Sequence, residues 1–394
     1  MKIFSRFFGL LLVVAMVSCD NNVDMPTPDN EVDIPLDPSK HYIHFDADVA
    51  TRGALIEGDI LSADFSVLGY QYPGEWAAEK VFAIPNVFDS TPQLVKFDRA
   101  VFSYGTPKKW TGNTYSFFGY YPASHSNIVL TATQGDPYIT YTLPTGNDAT
   151  KLIDVMTASY IDTGVASSSS VAMEFRHRLS AIDIGARNYY EYNHDHNSVT
   201  PVKLVTIEIT ELTVNLNNIV NESAKIYLDH TIPSVYPENQ ARTTRVYSMV
   251  DKNTTWATDT FDVMPNTASN RNIQLITNTS GDNASSILLI PQTELVEGTL
   301  ALTYRRKYQD DNGTWLYQKN DSNAEIWTEL PTAEADLKYY EFNPIGLDIN
   351  FSKSLIEGRR YYIELTFTSD AVSVNIVAAD EWDELKDDID YEFE

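Results

Sequence analysis

Apolar side chains recur at every second position along most of this chain, which is the pattern of β-strands with one buried face. The alternation is clearest at Val171, Met173 and Phe175, which are separated by small or charged residues. A few positions later, Ile182 and Ile184 continue the apolar series on the opposite parity. This change of parity predicts either a β-bulge or a strand that passes from one sheet to another.

The same pattern predicts strands along the whole chain. Asn217 and Asn218 predict a turn after one of them, so that residues 224–228 pair back on the strand before it. The predicted strands lie at residues 41–52, 65–72, 81–87, 94–104 (two short strands), 115–122, 138–143, 205–216, 224–228, 286–290, 299–308, 315–318, 358–368 and 372–377. We therefore expect an all-β protein.

Two short alternating segments stand near the ends of the chain. In the first, the apolar positions are Ile43, Phe45, Ala47 and Val49. In the second, which lies within residues 380–394 after an apparently complete domain, they are Ile389, Tyr391 and Phe393. Each segment is predicted to form a strand with one apolar face.

Arg52 and Gly53 follow the first of these strands. An arginine in an exposed segment at the end of a strand is suited to cleavage by a trypsin-like protease. On the residues alone, an ordinary loop arginine is the simpler interpretation, and both stay open.

The first residues predict an exported protein. Lys2 and Arg6 precede an apolar run that is too short to span a bilayer, and residues 1–18 are predicted to be a signal peptide. Cys19, the only cysteine, resembles the lipidated residue of a bacterial lipobox, which implies cleavage before it and an acyl anchor. An ordinary secretory peptide is the alternative. Residues 19–40, rich in Asp, Asn and Pro, predict a disordered acidic tether.

The length and the net charge of the chain bear on its domain organisation and on the partners that it can bind. A chain of 394 residues suggests two domains, and the serine-rich segment near residue 168 predicts the boundary between residues 41–168 and residues 169–394. The formal net charge of −27 would repel nucleic acid phosphates, which excludes nucleic acid as a partner. Solubility in an exposed compartment accounts for such a charge, and cation binding is the alternative.

No residues form a catalytic or cofactor-binding pattern. His177, between two arginines in a strand, is predicted to be structural. His194 and His196 lack further ligands at metal spacing, and a loop is the better interpretation. Residues 310–313, Asp-Asp-Asn-Gly, lack the alternating ligands of a calcium loop and predict a hairpin turn. We therefore predict no enzyme activity, no metal and no cofactor.

Several segments, taken in order, resemble the fimbrillin-like lipoproteins of Bacteroidetes, which are the subunits of type V pili. Each segment is weak alone, but their order behind a lipobox is specific and spans most of the chain. The matching segments are Phe117-Phe-Gly-Tyr-Tyr-Pro122, Asp154-Val-Met-Thr-Ala158, Phe175-Arg-His-Arg-Leu-Ser-Ala-Ile182, Leu288-Leu-Ile-Pro-Gln292 and Gly358-Arg-Arg-Tyr-Tyr-Ile-Glu-Leu365, followed by Trp382.

The resemblance implies two tandem β-sandwich domains of transthyretin-like kind and a surface-exposed lipoprotein of the outer membrane. It also implies that, in shaft subunits, an arginine-specific protease removes the N-terminal strand and a strand from another pilin subunit fills the groove. Our hypothesis for this chain is that the cut falls after Arg52; whether it is a shaft, anchor or tip subunit stays open. Ile389, Tyr391 and Phe393 would be the apolar residues of that donor strand. Adhesion to a host or glycan ligand is a further expectation. The alternative is a glycan-binding lipoprotein of a polysaccharide-uptake system, in which exposed aromatic rings stack on sugars.

Overall fold

The protein is almost entirely built of β-strands in a computed structural model. The structure describes residues 42–49, 63–98, 101–111, 113–132, 135–161, 170–188, 191–192, 203–234, 242–250, 256–257, 274–275, 286–319, 326–333, 337, 345–367 and 372–378. Among these residues, no helix is long and apolar enough to cross a membrane. The all-β prediction is confirmed, whereas the division into two transthyretin-like sandwiches stays a prediction.

The strands follow one another with few helices between them. Their bounds are β1 (Phe45–Val49), β2 (Phe65–Tyr72), β3 (Gln93–Asp98), β4 (Val101–Tyr104), β5 (Thr114–Tyr121), β6 (Ile128–Thr131), β7 (Tyr138–Thr142), β8 (Met156–Ile161), β9 (Val171–His177), β10 (Ser180–Asn188), β11 (Glu191–Tyr192), β12 (Lys203–Leu204), β13 (Thr206–Asn221), β14 (Ser223–Tyr227), β15 (Arg242–Val250), β16 (Trp256–Ala257), β17 (Gln274–Leu275), β18 (Ile287–Leu289), β19 (Gln292–Gln309), β20 (Trp315–Lys319), β21 (Ile326–Thr328), β22 (Ile345–Leu355), β23 (Arg360–Phe367) and β24 (Val372–Ala378). The helices with described bounds are α1 (Trp76–Glu79) and a 3-10 turn at Ala149–Lys151.

The N-terminal sheet has seven strands in the order β1-β9-β8-β5-β2-β3-β4. Its central strands β2 and β5 are buried on both faces, which explains why their sequences are nearly continuous apolar runs. Phe65 and Phe117 on one face belong to a cluster that includes β1, whereas Leu68 and Phe118 on the other face join a larger cluster with the C-terminal strands. The two halves of the chain therefore share apolar packing.

The C-terminal half contains a second seven-stranded sheet and a five-stranded sheet. The long strands β13 and β19 pair antiparallel at the centre of the former, which runs β15-β13-β19-β20-β21 with β16 and β22 joined to it. The latter runs β17-β10-β23-β24 with β18 paired to β10. The predicted hairpins β19–β20 and β23–β24 are both confirmed, and Gly313 supplies the positive φ, +82°, that the first turn requires.

The chain crosses from one sheet to another between β9 and β10, as the change of parity predicts. β9 pairs with β1 and β8 in the N-terminal sheet, whereas β10 pairs with β23 in the five-stranded sheet. Only Arg178 and Leu179 separate the two strands. We call the residues from His177 to Ser180 the crossover.

Buried polar contacts surround the crossover. Nδ1 of His177 lies 2.7 Å from Oδ2 of Asp154, and Arg178 pairs with Glu357. The hydroxyl of Ser180 donates to the carbonyl of Ile356 at 2.7 Å. The crossover is therefore tied to the residues just before β8 on one side and to the turn before β23 on the other.

A second buried pair holds β10 to its neighbours. Nε of Arg360 lies 3.1 Å from Oδ2 of Asp183, and the hydroxyl of Ser286 hydrogen-bonds the other carboxylate oxygen. Burial raises the pKa of Asp183, while Arg360 and Ser286 act in the opposite direction. Because each of these buried groups has a partner on another strand, the contacts specify how β10, β18 and β23 meet.

Three details of the predicted strands are wrong. Residues 81–87 form no strand, because they follow α1 and pass into turns in which Val81, Phe82 and Ile84 are exposed. No turn occurs at Asn217 and Asn218, because β13 continues to Asn221 with a shift of register opposite β15. Residues 223–227 do pair, but with β7 of the N-terminal half.

The predicted domain boundary falls in residues 162–169, outside the described residues, and stays a prediction.

Gly358 offers a test of the crossover. Its φ is +69°, and a Cβ built there would lie 3.2 Å from the main-chain oxygen of His177. We expect Gly358→Ala to lower the free energy of unfolding by about 1–2 kcal/mol, because an L-residue is strained in the left-handed region. Urea unfolding would measure the change. Gly105→Ala is the control, since its Cβ would meet only the Gln93 side chain at 3.8 Å. Equal stability of the two variants would contradict the expectation.

Candidate functional site

The strand β1 lies at the end of the N-terminal sheet and pairs there with β9. The pairing is parallel, and its register runs from Phe45 opposite Val171 to Val49 opposite Phe175. The amide of Val171 donates to the carbonyl of His44 at 2.7 Å. The predicted N-terminal strand is therefore confirmed, and it occupies a sheet edge.

A second part of the chain contacts the beginning of β1. The amide of Ile43 donates to the carbonyl of Lys108 at 2.7 Å, and Tyr42 forms an isolated antiparallel bridge with Lys109. Lys108 and Lys109 follow β4, the strand at the other end of the same sheet. β1 thus pairs with one end of the sheet, and the residues just before β1 contact the segment that follows the strand at the other end.

The apolar residues of β1, with Ile43 two positions before it, complete a core cluster. Ile43, Phe45 and Ala47 are only 1%, 3% and 2% exposed. Burying a side chain such as Ile or Phe contributes roughly 1.5–3 kcal/mol, so Ile43 and Phe45 together contribute several kcal/mol at this edge. Without β1, the apolar side chains beneath it would face water. We call the place that β1 fills the β1 groove.

Phe45 is the residue of β1 with the most aromatic contacts. Four rings surround it, with centroid distances between 5.5 and 6.2 Å and edge-on or tilted geometry, the arrangements that aromatic pairs prefer. These rings, which we call the aromatic cage, belong to Phe65, Phe88, Tyr104 and Phe117. The centre of the β1 groove is therefore shaped for one aromatic side chain.

Glycine makes room for β9 beneath the groove. A Cβ at Gly119 of β5 would lie 2.8 Å from Cε of Met173 and 3.2 Å from Cζ of Phe175. Both side chains come from β9, the strand that pairs with β1. The absence of a side chain at Gly119 thus lets β9 lie with its apolar face in the core and its edge towards β1.

The predicted site residues at the chain ends lie outside the described residues. They are Cys19, Arg52, Gly53, Ile389, Tyr391 and Phe393. β1 ends at Val49, three positions before Arg52, and β24 ends at Ala378, before the predicted donor segment. The functional roles of these six residues stay predictions.

The other candidate residues behave as their simpler interpretations predict, where they are described. His177 is buried beside Asp154, so both polar groups serve the crossover. The carboxylate of Asp310 accepts the amides of Asn312 and Thr314 at 2.9 and 2.8 Å, which makes it part of the hairpin turn. His194 and His196 lie outside the described residues. Nowhere in the described ranges do three His, Cys, Asp or Glu residues gather as a metal site would require.

The contribution of residues 104–109 to the groove has no counterpart in the sequence-based predictions. Tyr104 ends a predicted strand, and Thr-Pro-Lys-Lys at 106–109 has no apolar period. Phe88 likewise lies in a segment of turns, where no periodic pattern predicts its burial. The aromatic character of Phe88 and Tyr104 favours burial, but no pattern in the neighbouring sequence predicts which strand they pack against.

The sequence of this chain matches a known protein family. Residues 75–382 match the family described as fimbrillin-like. The chain belongs to the fimbrillin-like family. This confirms the resemblance inferred from the ordered sequence segments, and it supports a pilus-type subunit on the cell surface. No curated protein sequence matches the chain.

One solved structure shares the overall fold of this chain. A fimbrial protein from Bacteroides vulgatus superposes with a TM-score of 0.53 at 16% identity, covering 86% of this chain and 99% of that one. The tip fimbrial protein of Porphyromonas gingivalis, solved with a C-terminal truncation, matches 86% of this chain and 99% of its own, with a TM-score of 0.32 at 10% identity. At 16% identity the similarity to the Bacteroides vulgatus protein concerns the fold alone. The low TM-score of the Porphyromonas gingivalis protein supports no conclusion about this chain.

Phe45 tests whether β1 is part of the folded core of this fimbrillin-like chain. Phe45→Ala should lower the free energy of unfolding by about 3–5 kcal/mol, because it leaves a cavity inside the aromatic cage. Phe82→Ala is the matched control, since Phe82 is 73% exposed and its loss should change stability by less than about 0.5 kcal/mol. Urea unfolding of both variants would give the comparison. A Phe45 variant as stable as the Phe82 variant would show that the cage does not depend on β1.

Proposed function

We propose that this protein is a structural subunit of a type V pilus that polymerises by strand exchange at the β1 groove and supports adhesion. The observation that carries the proposal is that β1 fills an apolar groove at a sheet edge and ends three residues before Arg52. An open edge next to exposed apolar side chains favours the addition of a strand from another chain.

Cleavage after Arg52 is the step that makes β1 replaceable. β1 and β2 are joined through residues 50–64, so β1 competes for its groove as part of the same molecule. Such a link gives an effective concentration that a strand from another subunit cannot match at ordinary protein concentrations. Once the link is cut, β1 is held by non-covalent contacts alone and a second strand can displace it.

The chain carries a segment suited to the vacated groove. Ile43, Phe45 and Ala47 occupy alternate positions with the aromatic residue in the middle. The C-terminal segment has the same spacing, also with an aromatic residue in the middle, in Ile389, Tyr391 and Phe393. Tyr391 would enter the aromatic cage in place of Phe45. Each subunit would offer a groove and a tail, and repetition of this head-to-tail contact generates an open filament.

Lipidation of Cys19 would keep the precursor at the outer membrane until cleavage releases it. The acyl chains anchor a protein that need not span the bilayer. Because Cys19 lies before Arg52, one cut removes both the anchor and β1. Loss of the lipid and opening of the groove are then a single event, which couples release to assembly.

The alternative, a glycan-binding surface lipoprotein, needs exposed aromatic rings. In the part of the chain that the structure describes, the exposed aromatic side chains are Tyr42, Phe82 and Trp315, and Tyr42 and Trp315 each have a lysine ammonium near the ring. Most other described aromatic residues are buried or partly buried. No cluster of open rings among them favours this alternative.

Replacing Arg52 tests the cleavage step. Arg52→Gln should prevent the cut, keep β1 in its groove and abolish fibres, because the covalent link is retained. N-terminal sequencing of the wild-type surface protein should give Gly53 as the first residue, and electron microscopy should show fibres only for the wild type. Assembled fibres whose subunits still begin at Cys19 would rule out removal of β1.

Replacing the tail tests the donor strand. Ending the chain after Lys386, or changing Ile389, Tyr391 and Phe393 together to Ser, should abolish fibres and leave a folded monomer, because the groove loses its apolar occupant. The matched control changes Asp390, Glu392 and Glu394 to Ser, which alters the opposite face of the same segment. Circular dichroism would report folding, and electron microscopy would report fibres. Unimpaired fibres from the truncated chain would eliminate the tail as donor.

A further inference from the structure

Tyr104 makes contacts with β1 that differ from those of the other cage residues. Its hydroxyl donates to the carbonyl of Ile43 at 2.8 Å and accepts the amide of Lys108 at 3.2 Å. Because an amide can only donate, the hydroxyl proton is left for the Ile43 carbonyl. The amide of Ile43 in turn donates to the carbonyl of Lys108. Both main-chain polar groups of one residue are therefore bound by Tyr104 and Lys108.

These hydrogen bonds do not depend on which side chain the bound residue carries. Every residue except proline offers one amide donor and one carbonyl acceptor. The ring of Tyr104 also forms one wall of the aromatic cage, 5.7 Å from Phe45 and 5.3 Å from Phe88. Burial raises the pKa of Tyr104, and the amide of Lys108 acts in the opposite direction, so the hydroxyl stays a donor at ordinary pH. One side chain thus joins a main-chain contact to a side-chain pocket.

We propose that Tyr104 and Lys108 form a main-chain clamp that holds whichever strand occupies the β1 groove, first β1 and then the donor strand of the next subunit. This inference rests on the strand exchange proposed above. It adds that recognition has two parts, a clamp that accepts any sequence and a cage that selects an aromatic residue.

The clamp and the cage together fix the register of the strand that they hold. The clamped residue, Ile43, stands two positions before the caged residue, Phe45, and both side chains are buried in the same cluster. The tail has an apolar residue two positions from Tyr391 in both directions, at Ile389 and Phe393. With Tyr391 in the cage, one of these two apolar residues takes the place of Ile43 at the clamp. A slip of one residue would bring a carboxylate to the cage, which is unfavourable in an apolar site.

A purely local role for Tyr104 is the competing explanation, because its bond to Lys108 closes the loop after β4. Tyr115 has that local role without the second one, since its hydroxyl accepts the amide of Thr111 at 2.9 Å and also bonds the Thr111 hydroxyl. No hydrogen bond to β1 is given by Tyr115 in the described structure. Tyr→Phe changes at 104 and 115 are thus matched in chemistry and differ in the contact with β1.

The experiment uses the full chain, as wild type, Tyr104→Phe and Tyr115→Phe, each cut after Arg52 by an arginine-specific protease. The probe is a fluorescent synthetic peptide of residues 386–394. Release of the cleaved N-terminal fragment and binding of the peptide are both measured, with circular dichroism as the check of folding. Tyr104→Phe should release the fragment about fivefold faster and bind the peptide about fivefold more weakly, the effect of one ordinary hydrogen bond. Tyr115→Phe should leave both quantities within about twofold.

The two proposals fail in different ways. If the wild type binds the peptide and Tyr104→Phe binds it equally well, the clamp is overturned and strand exchange stands. Equal losses in the Tyr104 and Tyr115 variants would also overturn the clamp, because general loosening of the fold would explain them. If the wild type releases its fragment but never binds the peptide, the tail is not the donor, and the proposed exchange fails together with the second occupant of the clamp.

Discussion

The crossover between β9 and β10 is the constraint on which the rest of the structure depends. One continuous stretch of chain belongs to two sheets, and buried charged groups surround the point where it passes between them. A buried polar or charged group costs free energy unless its partner is in place, so the contacts of His177, Arg178 and Asp183 disfavour any other arrangement of these strands. With β9 held in this way, its outer edge is fixed, and that edge is what β1 pairs with.

Local pattern was sufficient for most strands and for the crossover itself. Alternation predicts β1 and β9, a dense aromatic run predicts β5, and the shift of parity after Phe175 predicts that the chain leaves its sheet. The strand predictions are wrong where contacts with residues far away along the chain determine the structure. The apolar residues at 81–87 look like a strand, yet they follow α1, where Trp76 is anchored by a buried hydrogen bond to Asp229. Likewise β14 pairs with β7, far away along the chain, and no local signal names that partner.

The candidate site was predictable only in part, for the same reason. The alternation of Ile43, Phe45 and Ala47 identifies a strand with one apolar face, but not the groove that receives it. That groove is assembled from segments far apart in sequence, including Phe88 and residues 104–109, which have no regular period. Several of the segments that resemble the fimbrillin-like family, by contrast, lie beside the crossover, where Asp154 contacts His177 and Glu357 contacts Arg178. The proposed function lies at a sheet edge beside this framework.

An assembling subunit faces opposite demands before and after assembly. A long open edge beside apolar side chains would associate without control, and a net charge of −27 slows such encounters without preventing them. A strand already in the groove removes the hazard, because it satisfies the edge amides and covers the apolar floor with side chains of the same chain. Main-chain contacts are well suited to such a temporary cover, since they bind one strand as readily as another. Selection between strands then depends on the few pockets that side chains must fill, and one of these is the aromatic cage around Phe45. Under the proposed exchange, a subunit built in this way would replace its own strand with a neighbour's without altering the framework that surrounds the groove.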